Sequence, residues 1–369
     1  MVGTYPPTAC GLATFTRNLS AAIATRESRW RVIVVRVLDR PEVETHPEVV
    51  AQWIAGDRES LTRSLGAIET ADVVVLQHEY GLFGGPDGQD VLKLVDAVSK
   101  PLIAVLHTVL SHPTTHQREI LERVMAHASL IVVQSDHARQ RLLTNYGADP
   151  GRVAVVPHGA EENLDGPRDA HVDHPLILTW GLLGPGKGIE HAIAAVARLG
   201  NRTPAPTYIV AGRTHPKVLA GEGERYRRAL QQQCRDLGVT TKVFFDDEYR
   251  DWDSLRALVR SADVVLLPYD SLEQESSGVL VEAIASGTPV VATRFPHAQE
   301  LLSRGAGLLV PQGDVDAMAS ALERVLYEPG LAATMRQCAC REATALVWPT
   351  IGATYRALIS RVVSRREVA

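Results

Sequence analysis

A lysine in a glycine-rich turn, a glutamate inside an apolar helix and a histidine ending a buried strand are the residues here best suited to chemistry. Gly181-Leu-Leu-Gly-Pro-Gly-Lys-Gly188 follows an apolar run of strand length and leads into a helix-like segment. A glycine-rich turn with Lys187 at a helix start suits a phosphate, because open N–H groups and a cation meet the anion together. A surface lysine is the plain alternative. The turn departs from the phosphate loop of nucleotide hydrolases, since Gly188 rather than Ser or Thr follows Lys187. It also lacks the strict G-x-G-x-x-G spacing of dinucleotide sites. Gln274-Glu-Ser-Ser-Gly-Val-Leu-Val-Glu282 follows another strand-length run. Ser276, Ser277 and Gly278 fall at the start of a helix expected to run to about Ser286, where open amides suit a diphosphate or sugar hydroxyls. Glu282 lies inside that helix among apolar neighbours and needs a partner, either a ligand hydroxyl or a structural arginine.

In the first half, Gly11 ends a proline-rich loop and opens a helix, a turn that suits either ligand approach or a positive φ. His107 ends Val105-Leu-His-Thr108, and Glu79 ends Leu76-Gln-His-Glu-Tyr80. Strand carboxyl ends are where an α/β protein carries its working groups. His78, His112, His116, His158 and His215 show no H-E-x-x-H spacing, so no metal site is expected. Asp251-Trp-Asp253 reads as a helix cap.

These residues need strands to carry them. Val32–Val37, Val73–Gln77, Leu102–Leu106, Leu130–Gln134 and Val153–Val156 form one set of apolar runs. Leu176–Trp180, Thr207–Ala211, Lys242–Phe245, Val264–Leu267 and Pro289–Ala292 form a second. Near-continuous Val, Ile and Leu suit parallel strands covered by helices on both faces. Alternation with helix-length segments predicts two doubly wound α/β domains. The polar stretch 160–174, with its Gly, Pro and Asn, reads as the linker. Met1–Thr4 is short for a first strand: either the domain tolerates a stub or the true start lies upstream.

The chain has 369 residues, 45% hydrophobic and 22% charged, which excludes a disordered protein. Net charge is -5, and residues 1–165 hold 15 Lys+Arg against 20 Asp+Glu. No nucleic-acid footprint follows, and an anionic-membrane footprint gains no support. Four cysteines, two of them one residue apart, do not make a disulfide scaffold. No run is long enough to span a membrane and no signal peptide is present, so a cytoplasmic protein is expected, with peripheral membrane contact left open.

Together these motifs resemble the GT-B glycosyltransferases of the retaining family 4 type. The resemblance rests on Gln274…Glu282-Ala-Ile-Ala-Ser-Gly-Thr-Pro-Val-Val-Ala292, where the family carries two glutamates with seven residues between them. It rests also on Gly181-Leu-Leu…Lys187-Gly188, Pro157-His-Gly159, Glu300-Leu-Leu with Gly307-Leu-Leu-Val-Pro311 and Asp314, and the closing Trp348…Tyr355. Three positions depart from the pattern: Leu182 stands for an arginine, Gln274 for the first glutamate, and Ser276-Ser277 for an aromatic followed by glycine. The resemblance implies two Rossmann-like doubly wound domains facing across a cleft. Residues 1–163 would form the acceptor side, 164–345 the nucleotide-sugar domain, and 346–369 a helix returning to the first. It implies a metal-independent, retaining hexosyltransferase, without a cofactor, using a nucleoside-diphosphate sugar and a hydroxyl acceptor. His107, Lys187 and Glu275 would be catalytic. Gly11, Lys187, Arg213, Gln274, Glu275, Ser276, Ser277, Gly278, Val279, Leu280 and Glu282 would bind the donor, and Glu79, Tyr80 and Thr108 the acceptor. Base contacts are expected from backbone around residues 247–249. A GT-B phosphorylase, a nucleotide-sugar epimerase and a non-catalytic sugar-nucleotide-binding protein remain as alternatives.

Overall fold

A computed structural model describes the chain except residues 9, 26–28, 44–45, 168–174, 248–249, 272–275 and 368–369, with backbone alone at 365–367. The chain divides into two compact units, Met1–Gly159 with Trp348–Ala369, and Ala160–Val347. The division falls at 159/160 rather than 163/164. Ala160 pairs with Val347 as an isolated parallel bridge, and Asn163 donates to Ser286 Oγ at 2.7 Å. Residues 160–163 are thereby built into the second unit.

Among the described residues the first unit holds a seven-stranded sheet and the second a six-stranded one. The first contains β1 (Val2–Gly3), β2 (Val34–Leu38), β3 (Val49–Ile54), β4 (Val74–His78), β5 (Leu102–Leu106), β6 (Leu130–Val133) and β7 (Val153–Val155). Its order is β3-β2-β1-β4-β5-β6-β7, with every pairing parallel. The second contains β8 (Leu176–Trp180), β9 (Thr207–Ala211), β10 (Val243–Asp246), β11 (Val264–Leu267), β12 (Val290–Thr293) and β13 (Gly307–Val310). Its order is β10-β9-β8-β11-β12-β13, again all parallel. Numbered within its unit, this is the 3-2-1-4-5-6 Rossmann order. The order reverses between β1 and β4 in one unit and between β8 and β11 in the other, the places where open α/β sheets take their ligands.

The apolar runs become strands because both sheet faces are covered. All five residues of β5 and of β8 are buried. Each fully buried Leu, Ile or Val side chain contributes about 1.5–3 kcal/mol relative to exposure. The short β1 lies in the sheet's interior, where Val2 pairs with Val35 on one side and Leu76 on the other. The helix Trp348–Glu367 belongs to the first unit. It packs on the helix Gly11–Ile23, and a Cβ at Gly352 would stand 2.3 Å from the Ala22 carbonyl oxygen.

Candidate functional site

Several sequence-marked residues of the second unit stand around the β8/β11 switch point. Trp180 ends β8 and is followed by the turn 181–188, while Leu267 ends β11 and Pro268, Tyr269 and Asp270 follow. Several contacts join the two segments. Lys187 Nζ lies 4.4 Å from the Tyr269 ring centroid, a cation–π contact that fixes its long side chain. Gly188 is left-handed, with φ of 65°, and caps the helix Ile189–Arg198. A Cβ there would stand 1.9 Å from the Pro268 carbonyl oxygen. Gly181 reaches toward the next helix, where a Cβ would stand 3.7 Å from Val279 Cγ2. Only glycine allows the close approach at Gly188. Gly188→Ala is therefore expected to lower the melting temperature of the protein substantially, by more than about 2 kcal/mol in stability, read by thermal unfolding. Gly186→Ala tests a different term: its Cβ would meet nothing within 4 Å, so its positive φ of 85° is the source of strain.

The helix Gly278–Ala285 begins beside this turn. Ser277 is its N-cap: its hydroxyl accepts from Leu280 N at 3.2 Å, and its own amide donates to His297 Nδ1 at 2.9 Å. The Ser277 and Leu280 amides thus have partners inside the fold. Leu280 is fully buried in the core. The remaining first-turn amides, Gly278 and Val279, are the ones a helix start leaves open to an anion. Ser276 is half-buried at the same turn. Gln274 and Glu275 lie outside the described residues, as do residues 248–249.

Glu282 stands one turn along. The Trp180 indole hydrogen-bonds to it, and Arg256, which also pairs with Glu161 at 3.5 Å, attracts it electrostatically. Burial dominates and pushes the carboxyl up to about 7. Both partners foreseen for it thus bear on it: an arginine of the fold is near, yet the group remains poorly solvated and receptive to hydroxyl donors.

Positive charge gathers on the Lys187 side. Burial lowers the pKa of His215, and Lys217 and Lys187 lower it further. Arg213, expected among the donor-binding residues, is exposed, and its Nε donates to the Asp247 carbonyl at 3.3 Å. Glu190, His191 and Asp270 bring potential ligand atoms within 4.8 Å of one another. One carboxylate oxygen of Glu190 already accepts from Tyr226 Oη at 2.7 Å, and His191 Nε2 lies 3.4 Å from Asp270 Oδ1. Asp251 caps the helix Trp252–Ser261 by accepting from Ser254 N at 2.8 Å, the role read from its position.

In the first unit, Gly11 is the first residue of its helix and lies outside the left-handed region. A Cβ there would meet nothing within 4 Å, so the turn itself does not demand glycine and the space beside it is open. Glu79 accepts from Thr108 Oγ1 at 2.6 Å and from the Tyr80 amide at 2.9 Å, which joins the ends of β4 and β5. Tyr80 itself is only 9% exposed, packs in the hydrophobic core and donates to the Gln117 carbonyl at 3.3 Å. Its hydroxyl proton is engaged within the unit. His107 lies between Gln77 and Gln134, and burial lowers its pKa to about 3.

Sequence reasoning overlooked Trp180 and Tyr269, which position Glu282 and Lys187, and Gln77 and Gln134, which flank His107. Each stands at or within three residues of a strand's carboxyl end. That position is the one signal able to mark them.

Two Rossmann-ordered units in one chain, with phosphate-suited groups at the second switch point, define the GT-B class of sugar-transferring enzymes. The description Glycosyl transferases group 1 matches residues 161–341, and Glycosyltransferase Family 4 matches residues 9–164. The D-inositol 3-phosphate glycosyltransferase of Kribbella flavida is 31% identical, over 90% of this chain and 82% of its own. The MMP alpha-(1->4)-mannosyltransferase of Mycolicibacterium hassiacum is 26% identical, over 86% of this chain and 79% of its own. Among solved structures, sucrose-phosphate synthase from Thermosynechococcus elongatus superposes with a TM-score of 0.76 at 20% identity, covering 99% of this chain and 96% of that one. Anabaena HepE in complex with UDP and glucose gives 0.78 at 18% identity, covering 98% of each. The chain belongs to the family 4, group 1 glycosyltransferases. No helix among the described residues is long and apolar enough to cross a membrane.

Proposed function

We propose that this glycosyltransferase takes a hexose from a nucleoside-diphosphate sugar, passes it to a hydroxyl acceptor with retention at the anomeric carbon, and needs no divalent cation. The observation that carries this reading is that the glycine turn 181–188 lies against both Tyr269, whose ring holds Lys187, and Val279, in the first turn of the helix Gly278–Ala285. The lysine and the helix N-terminus take the diphosphate, and Glu282 accepts hydrogen bonds from the ribose hydroxyls. Bond cleavage places charge on the leaving diphosphate, so catalysis rests on stabilising that charge where it develops. Two elements of fixed positive potential supply this without a metal. In the first unit, His107 serves the transferred sugar, and Glu79 with Thr108 serves the acceptor hydroxyl. The complex of Anabaena HepE with UDP-glucose supports the donor class. Retention is the outcome the family resemblance implies.

A panel of UDP-, GDP- and ADP-hexoses, offered with free sugars and inositol phosphates as acceptors, tests the reading. Nucleoside diphosphate released only when an acceptor is present supports transfer. Saturable binding without turnover across the panel supports a binding protein instead. Turnover is expected to survive excess EDTA. Loss in EDTA with recovery on adding Mg²⁺ or Mn²⁺ would count against metal independence and would point to Glu190, His191 and Asp270.

A further inference from the structure

Side-chain amides from the two strands flanking β5 hold both ring nitrogens of His107. Gln77, on β4, is fully buried, and its Oε1 lies 2.7 Å from His107 Nε2. Gln134, one residue past β6, is 3% exposed, and its Nε2 lies 3.0 Å from His107 Nδ1. An amide oxygen on one side and an amide N–H on the other fit one state of the ring: neutral, with its proton on Nε2. Phe15 meets the ring edge-on, with centroids 4.8 Å apart at 90°. Gln77 fits because β1 carries glycine opposite it: a Cβ at Gly3 would stand 2.9 Å from Gln77 Cβ. The ionisable groups that bear on the ring, His158 and His78, are each brought down to about 4 by burial and so are neutral neighbours near pH 7.

The arrangement costs stability. Gln77 Nε2 and Gln134 Oε1 are buried without a hydrogen-bond partner. An orphaned buried polar group costs about 1–3 kcal/mol, and two apolar side chains of the same shape would avoid it. A polar clamp retained at that cost, beside the end of a strand in a ligand-binding fold, points to a ring whose orientation and proton matter.

We infer that Gln77 and Gln134 are positioning residues that lock His107 as a neutral imidazole protonated on Nε2. Both ring nitrogens are thereby withdrawn from proton transfer, and His107 presents a fixed ring rather than an acid or base. The inference rests on the proposed function only in taking His107 to face the transferred sugar.

Protein labelled with ¹⁵N-histidine, with His107→Gln to assign the signal, gives the test through two-bond ¹H–¹⁵N spectra. The wild type is expected to show protonated Nε2 and bare Nδ1 at pH 7, unchanged at pH 5. Gln134→Glu replaces the donor with an acceptor, so both ring nitrogens should carry protons at pH 6. Gln134→Met should release the ring into averaged tautomers and, by loosening a positioned group, lower kcat roughly tenfold, with nucleoside-diphosphate affinity unchanged. Gln77→Met provides a second variant should the first fold poorly by circular dichroism. Averaged tautomers, an Nδ1 proton or an imidazolium in the wild type at pH 7 would overturn the clamp, as would unaltered spectra in both Met variants. Full transfer by His107→Ala would instead remove the sugar-facing role of His107, while the spectra still decide the clamp.

Discussion

Glu282→Ala is expected to weaken nucleoside-diphosphate binding roughly ten- to a hundredfold, the loss of a charge-assisted hydrogen bond of about 1.5–3 kcal/mol. Glu282→Gln should lose less, because the amide keeps one acceptor. Burial holds the carboxyl near 7, so the ionised form that accepts hydroxyl hydrogens is depleted below neutrality. Wild-type affinity should therefore fall from pH 8 to pH 6, while the affinity of Glu282→Gln stays flat. Stability should run the other way. A carboxyl whose folded value is raised from 4.5 to about 7 favours the fold fully below 4.5, and that contribution disappears as pH rises through 7. Glu282→Gln should thus melt above the wild type at pH 8, by on the order of 2 kcal/mol, and the gain should vanish at pH 5. Titration calorimetry with paired melting curves reads both effects. A Glu282→Ala protein that is well folded and binds nucleotide normally would reduce Glu282 to a structural partner of Arg256 and Trp180.

Lys187→Ala should cost more in turnover than in binding. Its ammonium lies over the Tyr269 ring beside a glycine turn with no room for side chains at Gly188, so the charge is held in place before the donor arrives. Removing one fixed stabiliser of developing charge typically lowers kcat by roughly 10²–10³. Nucleotide affinity should fall by roughly tenfold, because the ground-state diphosphate keeps the helix amides. Lys187→Arg should recover part of kcat, the planar guanidinium being a poorer fit to a site built for a compact cation. Steady-state kinetics with saturating acceptor separates the two terms. Lost affinity with kcat unchanged would place Lys187 on uniform binding rather than on the leaving group.

Interior strands were plain in the sequence because both of their faces are buried. Leu102–Leu106, Leu176–Trp180, Thr207–Ala211 and Val264–Leu267 emerged with the bounds that their apolar runs suggested. Two edge strands, β3 and β13, were not. In β3, Val49–Ile54, only Trp53 is buried and Val50 is exposed, so no continuous apolar run marks it. In β13, Gly307–Val310, only Val310 is buried. At the site, glycine and helix-start motifs located Lys187, Gly278 and Val279, because those chemistries are local in sequence. Partners that arrive from another strand left no local trace. Trp180 is 102 residues from Glu282, and Gln134 is 27 from His107. Composition could not separate an open amide from a spent one either. The bonds that engage the Leu280 and Ser277 amides, to the Ser277 hydroxyl and to His297, are visible only in the structure. So are the burial of Tyr80 and its bond to the Gln117 carbonyl.

The central claim is that the β8/β11 switch point holds the donor diphosphate, and a crystal structure with a bound nucleoside diphosphate tests it most directly. Crystals are grown with whichever of UDP, GDP or ADP raises the melting temperature most. Diphosphate oxygens should lie within hydrogen-bond reach of Lys187 Nζ and of the Gly278 and Val279 amides, with the ribose hydroxyls on Glu282. A nucleotide bound elsewhere, or seated there with its ribose turned away from Glu282 and its phosphates away from Lys187, would contradict the account.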